Sequence, residues 1–217
     1  MSDMLEKTQR YTTMSRKSAW DESYRQEHPR WRGPSDLDLS GLKGRVLELG
    51  CGDGKTAIAL VEKGLEVVGL DTSRTALLIL SKRVVSERLS LVQADGLDLP
   101  FGEASFDCLA SVHFLDHLLS GERGYAVEEM RRVLKPGGVI IGRFFSVNDM
   151  RFGKGEEIEP ETYLRGNGVF NHYFTEGEIL SLFDGYLPIT INSSNKPTKF
   201  SGDSGHRSLI TVRLRKP

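Results

Sequence analysis

The sequence predicts a doubly wound α/β fold, in which helices cover both faces of a mostly parallel sheet of seven strands. Short apolar runs alternate with amphipathic stretches from Gly44 onward, and a glycine-rich turn follows the first apolar run. The last run alternates apolar and polar residues, and we expect this closing strand to be antiparallel. The 217 residues suffice for one such domain with small additions.

Seven strands are predicted from apolar runs bounded by turn residues. They span residues 45–49, 66–70, 89–92, 106–111, 139–145, 189–191 and 208–214. Helices are predicted between them over residues 56–63, 73–86, 125–134 and 175–183. Gly64 ends the first helix, and the capping-box spacing of Thr175 and Glu178 marks the start of the last. The main domain is expected to span residues 41–217.

Two segments lie outside this alternation. Residues 1–40 are polar but carry Trp20, Tyr24 and Trp31, which is more aromatic surface than a disordered tail usually has. We therefore expect a helical segment that docks on the main domain as a lid. Residues 148–172 are rich in glycine and charge, which predicts a long loop insert near the active site.

Composition limits the classes of partner. Twenty-nine lysines and arginines against 30 aspartates and glutamates give a net charge of −1, so no global field favours nucleic acid or anionic lipid. A local basic patch remains compatible with this balance. No apolar run approaches the roughly 20 residues of a membrane span, and the first residues lack a signal-peptide pattern. We therefore expect a cytoplasmic protein, and Cys51 and Cys108 do not suggest a disulfide or a metal site.

The glycine turn at residues 50–54 lies between a predicted strand and a predicted helix. Such a turn brings backbone without side chains close to a ligand at the carboxyl edge of the sheet. A dinucleotide fingerprint would require glycine at position 55, where the chain has Lys55, so hydride transfer is disfavoured. The turn could also serve only as a tight strand-to-helix connection.

The second predicted strand ends at Asp71, about 20 residues after the glycines. A carboxylate in this position can accept hydrogen bonds from both hydroxyls of a ribose, which points to a nucleoside ligand. The alternative is that Asp71 caps the helix that opens near Ser73.

With these two motifs the chain resembles the class I S-adenosylmethionine-dependent methyltransferases, in particular those of the type 11/25 kind. The five motifs that carry the resemblance occur in the family's order, at residues 46–54, 68–71, 93–101, 106–109 and 134–138. Together they cover roughly residues 42–145. The resemblance implies a Rossmann-like fold, S-adenosylmethionine as methyl donor and S-adenosylhomocysteine as product.

The resemblance also assigns roles to residues. Those expected at the cofactor are Glu48, Gly50, Cys51, Gly52, Asp71, Thr72, Ser73, Asp95, Gly96, Ser111 and Val112. Gly50 and Gly52 would lie against the methionine portion, and Asp95 would meet the adenine edge. Asp95 could instead cap its own turn. Glu48 is expected to support the loop or the amino group of the ligand rather than to act in catalysis.

His113 and His117 follow the fourth predicted strand and are the candidate catalytic residues. On a helix their spacing would place both imidazoles on one face, with Asp116 beside one of them, as in a general base with an orienting carboxylate or a metal site. The alternative is that His113 lines the cofactor pocket and His117 packs at a helix start. No metal ligand set is assigned.

The expected acceptor is a small molecule. Enzymes that methylate the amino groups of nucleobases carry an amide-bearing tetrapeptide after the fourth strand. This chain has residues 111–114 there and lacks that tetrapeptide, so base methylation is disfavoured. Residues 20–24, 29–31, 173–179 and 205–208 resemble the thiopurine and tellurite-resistance branch, which implies a thiol or chalcogen acceptor. By that resemblance Tyr24 and Trp31 would contact the cofactor as lid residues, although both could simply anchor the amino-terminal helix.

Further candidates for acceptor contacts are Arg143, His172, Tyr173, His206 and Arg207. We expect a monomer or homodimer without nucleic acid or membrane partners. A methyltransferase that acts on protein or RNA, and a protein that binds the cofactor without turnover, are the remaining alternatives.

Overall fold

A computed structural model describes residues 13–26, 35–200 and 203–217. Its helices are α1 (Thr13–Gln26), α2 (Lys55–Glu62), α3 (Arg74–Arg83), α4 (Ser120–Val133) and α5 (Glu176–Leu182), with a 3-10 turn at Leu115–His117. The first five strands are β1 (Arg45–Leu49), β2 (Glu66–Asp71), β3 (Leu89–Gln93), β4 (Phe106–Val112) and β5 (Leu134–Phe145). The other strands are β6 (Glu156–Glu159), β7 (Thr162–Leu164), β8 (Phe170–His172), β9 (Leu187–Phe200) and β10 (Asp203–Arg215).

Seven strands form the central sheet, in the order β3-β2-β1-β4-β5-β10-β9. Strands β1 to β5 are parallel, whereas β10 is antiparallel to both β5 and β9. The predicted doubly wound sheet with an antiparallel closing strand is therefore confirmed. The strand order reverses between β1 and β4, and ligands of such folds bind at the carboxyl ends of the strands at that point.

Apolar side chains cover both faces of the sheet because successive residues of a strand point in opposite directions. On one face Val46 packs with Leu60 of α2 and Leu80 of α3. On the other face Leu47 packs with Met130 of α4 and with the residues around α5. The two apolar layers hold the carboxyl edge of the sheet rigid beneath the site.

Two helix boundaries differ from the predictions. Helix α4 begins five residues earlier than expected, at Ser120, and the Glu122 carboxylate accepts a hydrogen bond from the Leu119 amide at this end. Gly121 and Gly124 are poor helix formers and obscured this start. Helix α3 ends three residues early because the β-branched Val84 is extended, with φ −143° and ψ 130°.

The prediction of a loop over residues 148–172 is wrong. Strands β6, β7 and β8 form a small antiparallel sheet there, and Ile158, Tyr163 and Phe170 bury their side chains. Strands of three or four residues between glycines are too short to show an alternating pattern. The small sheet contacts the 3-10 turn, where the carbonyl oxygen of Phe170 lies 2.6 Å from His117 Nδ1.

The last two strands extend well beyond the predicted ranges and form a long hairpin. Residues Asp203–Ser208 of β10 pair with β9 but lie past the end of β5, so this part is a two-stranded ribbon, with Lys196 opposite Arg207. The ribbon is polar on both sides, so its sequence lacks the apolar alternation that predicts a strand.

Helix α1 docks on the main domain, as expected for the amino-terminal segment. Asp21 accepts hydrogen bonds from the Ser73 hydroxyl (2.7 Å) and the Thr75 amide (3.1 Å) and so caps α3 from outside. None of the helices in the part of the chain that the structure describes is long and apolar enough to cross a membrane.

Candidate functional site

A cavity of about 440 Å³ opens at the carboxyl edge of the sheet and falls within the range of small-molecule sites. Helix α1, the loops after β1 to β4, and strands β5, β9 and β10 line it. Its two ends differ. We call the part around residues 50–54, Asp71 and Asp95 the glycine end, and the part formed by Arg143, Lys196 and Arg207 the basic wall.

The glycine end is shaped by close backbone approaches. Gly52 has φ +54°, and a Cβ there would overlap the hydroxyl group of Tyr24. A Cβ on Gly96 would overlap the ring of Phe114, a cavity-lining residue that the sequence analysis missed. Its position directly after His113, at the end of a strand, could have indicated that Phe114 lines the cavity. Glycine is required at both positions because any side chain would occupy the cavity.

Asp71 holds the turn together. Its carboxylate accepts hydrogen bonds from the amides of Gly52 and Ser73, both at 2.8 Å, and it lines the cavity. The alternative role as helix cap belongs to Ser73 and not to Asp71. A carboxylate has about four acceptor sites, which leaves capacity for a ligand's hydroxyl groups. Burial raises the pKa of Asp71 to about 6.

Two other carboxylates face the same end. Glu48 is buried, and its Oε2 atom has no hydrogen-bond partner among the described residues. Burial raises the Glu48 pKa well above its usual value, with Asp71 adding to the effect. Asp95 accepts from the Leu97 amide (3.1 Å), which is the predicted alternative of a turn cap, and it also lines the cavity.

The structure brings most of the predicted cofactor residues together. Those that line the cavity are Tyr24, Glu48, Gly50, Cys51, Gly52, Asp71, Thr72, Asp95, Gly96 and Val112. Ser73 lies outside it because its hydroxyl accepts from the Ala76 amide as the N-cap of α3. Ser111 also lies outside, since its side chain is fully buried within the sheet. Trp31 falls outside the described residues, and Trp20 of α1 lines the cavity instead.

His113 and His117 both line the cavity, but they do not share a helical face. His113 precedes the 3-10 turn and has φ +58°, a left-handed conformation that is uncommon for residues other than glycine. Its Nδ1 lies 3.4 Å from Asp116 Oδ1, and its ring stacks on Phe145 at 4.2 Å between centroids. The ring of Trp20 meets His117 edge-on at 4.8 Å.

The surroundings keep His113 neutral. Burial lowers its pKa well below the usual value, and Arg207, Arg143 and Arg151 lower it further. Burial raises the pKa of the neighbouring Asp116 to about 7. Within residues 13–26, 35–200 and 203–217, no three histidine, cysteine or acidic side chains are arranged to hold a metal ion.

The basic wall collects three cations from three adjacent strands. Arg143 and Lys196 both pair with Asp36, the latter at 2.6 Å, while Arg207 Nε lies 3.1 Å from Asp149 Oδ2. Asp149 also binds Arg151, at 3.0 Å. Four cations therefore share two carboxylates, which leaves this end positively charged although the whole chain has a net charge of −1.

Of the residues proposed for acceptor contacts, Arg143 and Arg207 line the cavity and the other three do not. His172 is buried between the Thr162 hydroxyl (2.7 Å) and Glu178 (2.8 Å). Tyr173 is fully buried and donates to the carbonyl of Arg151. His206 lies on the ribbon outside the cavity.

The glycine end fits the cofactor that the sequence resemblance implies. It offers a backbone cradle that side chains would fill, a buried carboxylate oxygen of Glu48 without a partner, and the carboxylates of Asp71 and Asp95. Acceptors of this kind suit the amino group, the ribose hydroxyls and the adenine amine of that molecule.

Comparisons with known proteins agree with this assignment. A family described as a methyltransferase domain matches residues 47–142. A crystal structure of an S-adenosylmethionine-dependent methyltransferase from Methanosarcina mazei superposes with a TM-score of 0.71 at 23% identity, over 83% of this chain and 99% of that one. The structural likeness shows the shared fold.

Two curated relatives differ in what their names state. The tRNA N(3)-cytidine methyltransferase METTL2 of Mus musculus is 32% identical over 152 residues, which is 64% of this chain and 39% of the relative. Demethylmenaquinone methyltransferase of Clavibacter sepedonicus is 34% identical over 113 residues, 51% of this chain and 45% of the relative. The chain thus spans less than half the length of these relatives.

The expectation of a small-molecule partner and no nucleic acid is contradicted by the similarity to tRNA methyltransferases, which recurs in the Drosophila melanogaster protein at 32% identity over 160 residues. The expectation rested on net charge, on the missing amide-bearing tetrapeptide and on the resemblance to the thiopurine and tellurite-resistance branch. Net charge is a sum over the whole chain, and it does not show the local excess of positive charge at the basic wall.

Proposed function

Because the chain belongs to the class I S-adenosylmethionine-dependent methyltransferases, we propose that it methylates RNA at the N3 atom of a cytidine. One observation carries the choice of acceptor. The cavity that begins at the glycine end finishes at the basic wall, where positive charge exceeds negative charge. An RNA acceptor brings a phosphate to every nucleotide, and such a wall complements it.

At the glycine end the chain binds and orients the donor. S-adenosylmethionine, when bound, supplies a methyl group on a positively charged sulfur that a nucleophile displaces in line. Asp71 accepts from ribose hydroxyls, Asp95 accepts from the adenine amine, and Glu48 receives the amino group of the methionine portion. Helix α1 covers this end as a lid, because Tyr24 lies over Gly52 while Asp21 ties the helix to α3.

The acceptor atom needs little chemical activation. Cytosine N3 carries a lone pair and no proton at neutral pH, so the chain has only to position it and exclude water. His113 then acts as a neutral hydrogen-bonding group at the base rather than as a general base. The amide-bearing tetrapeptide serves exocyclic amines, and its absence after β4 does not disfavour methylation of a ring nitrogen.

The test combines the chain with isotopically labelled S-adenosylmethionine and an unmodified tRNA transcript, followed by mass spectrometry of the nucleosides. We expect N3-methylcytidine with the unaltered chain and almost none with Asp71→Asn, which should lose the donor. Cofactor binding without label in the RNA would contradict the proposed acceptor. Label at another position would contradict the assignment to N3.

A further inference from the structure

Two arginines share the same supports near the cavity. Arg151 and Arg207 each place Nε beside one oxygen of Asp149, at 3.0 and 3.1 Å. Each guanidinium also lies over the ring of Phe145, at 4.7 and 5.1 Å from its centroid. The Asp149 side chain is fully buried and accepts hydrogen bonds from Arg151 Nε and from the Ser208 amide, so the carboxylate that pairs with both guanidinium groups is fixed in place.

The two arginines differ in what they face. Arg207 lines the cavity, whereas Arg151 does not. No terminal nitrogen of Arg207 donates a hydrogen bond to a described residue, and its Nε is the edge that Asp149 holds. A guanidinium with one edge fixed presents its remaining donors as a rigid fork, and this geometry matches the oxygens of a phosphate.

We propose that Arg207 is the phosphate anchor of the acceptor and binds the phosphate group next to the methylated cytidine through its terminal guanidinium nitrogens. This assignment rests on the proposed function. The base itself is a poorer partner for Arg207, since the methylated base gains positive charge and a guanidinium beside it would oppose that gain. A contact with the phosphate next to the nucleotide holds the nucleotide without placing the guanidinium beside the methylated base.

Arg143 and Lys196 are less suited to this role. Arg143 Nη1 and Lys196 Nζ both donate to Asp36, so terminal donors of both side chains are already engaged by a carboxylate at the cavity. The Lys196 side chain is 63% exposed and lacks the planar fork of an arginine. Their positive charge adds to the field that attracts RNA, while Arg207 provides the fixed contact.

The experiment measures binding of a short single-stranded oligoribonucleotide that contains one cytidine, by fluorescence anisotropy over a range of salt concentrations. Arg207→Gln should weaken binding about tenfold, as expected for the loss of a hydrogen-bonded charge. It should also reduce the slope of log K against log salt by about 0.7, which corresponds to one phosphate of a single strand. Arg151→Gln is the matched control, because it loses the same contacts with Asp149 and Phe145 but faces away from the cavity.

A second arm changes the RNA and is run on both the unaltered chain and Arg207→Gln. The same oligonucleotide is made with a neutral methylphosphonate linkage beside the cytidine, with a 2′-O-methyl group on the flanking ribose of both versions. If Arg207 binds this phosphate, the affinity of the unaltered chain should be about tenfold lower for the RNA with the neutral linkage. The affinity of Arg207→Gln should be the same for both RNAs. Additive losses from the variant and the neutral linkage would overturn the assignment.

The possible failures are distinguishable. If the unaltered chain methylates RNA while Arg207→Gln and Arg151→Gln behave alike, Arg207 is not the anchor and the proposed function stands. If the unaltered chain neither binds nor methylates RNA at low salt, the proposed function fails as well. Melting curves of both variants report whether Asp149 tolerates the loss of one partner, and Arg207→Lys should restore the salt slope but only part of the affinity.

Discussion

The two ends of the cavity are built by different means. The glycine end consists of backbone and carboxylates from neighbouring stretches of β1, β2 and the loop after β3, and its shape depends on the missing side chains of Gly52 and Gly96. The basic wall consists of side chains from β5, β9 and β10, held by ion pairs with Asp36 and Asp149. One end selects by shape and the other by charge, so substitutions at each should have separable effects.

The largest effect is expected at the glycine end from Gly52→Val. The backbone has φ +54°, which a β-branched residue avoids, and the new side chain would collide with the Tyr24 hydroxyl inside the cavity. We expect S-adenosylmethionine affinity to fall more than about 100-fold in calorimetry. Gly64→Val is the control, because Gly64 has φ +82° but no atom within 4 Å of an added Cβ. Equal losses of affinity in both variants would show that backbone strain alone is responsible.

A smaller but sharper effect is expected from Asp71→Asn, which keeps the shape and removes the charge. Hydrogen bonds to a charged group contribute about 1.5–3 kcal/mol, so cofactor affinity should fall roughly 10- to 100-fold at pH 8. The Asp71 pKa is raised to about 6, and the charged form is the one that ribose hydroxyls favour. Affinity of the unaltered chain should therefore decline as the pH falls through about 6, while the variant should show little dependence. A variant that retains this pH dependence would assign it to another group.

The proposed contact of His113 with the base is tested by His113→Asn, which removes the imidazole and places a residue that tolerates the left-handed conformation. We expect the KM for RNA to rise about tenfold, the order of one lost hydrogen bond, with the affinity for S-adenosylmethionine unchanged. Steady-state kinetics and calorimetry on the same preparation check this. A fall of kcat by 100-fold or more with KM unchanged would instead support general-base catalysis.

The smallest effect is expected at α1, which contributes Trp20 and Tyr24 to the cavity. Asp21→Ala removes the outside cap on α3 and should cost roughly 1 kcal/mol, which lowers Tm by about 2–4 °C. Glu22→Ala is the matched control, since the partners of Glu22 among the described residues are the exposed Arg25 and Gln26 of its own helix. Identical melting curves for the two variants would show that α1 is not held by Asp21.

The same contrast explains what the sequence could predict. The glycine end is encoded in contiguous motifs, and Asp71 follows Gly52 after one helix and one strand, so the resemblance of these motifs to a known family named nearly all of the residues that line this end. The sheet followed from apolar alternation. Local patterns were sufficient to locate each strand of the central sheet, although not the full lengths of β5, β9 and β10.

The basic wall could not be assembled in this way. Lys196 and Arg207 are brought together by the register of a polar hairpin, and Asp36 reaches Arg143 across 107 positions of the chain. Pairings of this kind depend on which strands are neighbours in the sheet. A local sequence pattern does not predict that order. The small sheet of residues 156–172 was missed because strands of three or four residues are too short for their alternation to be recognised.

The hairpin ribbon also has a consequence for how this domain can change. Because β9 and β10 continue past β5, the outer part of the ribbon can be lengthened, shortened or exchanged while the seven-stranded sheet keeps its order. Such an exchange would replace Lys196 and Arg207 but leave residues 50–54 and Asp71 where they are. Under the proposed role of the basic wall, the choice of acceptor would follow the ribbon, and grafting the ribbon onto a relative is a direct test of this.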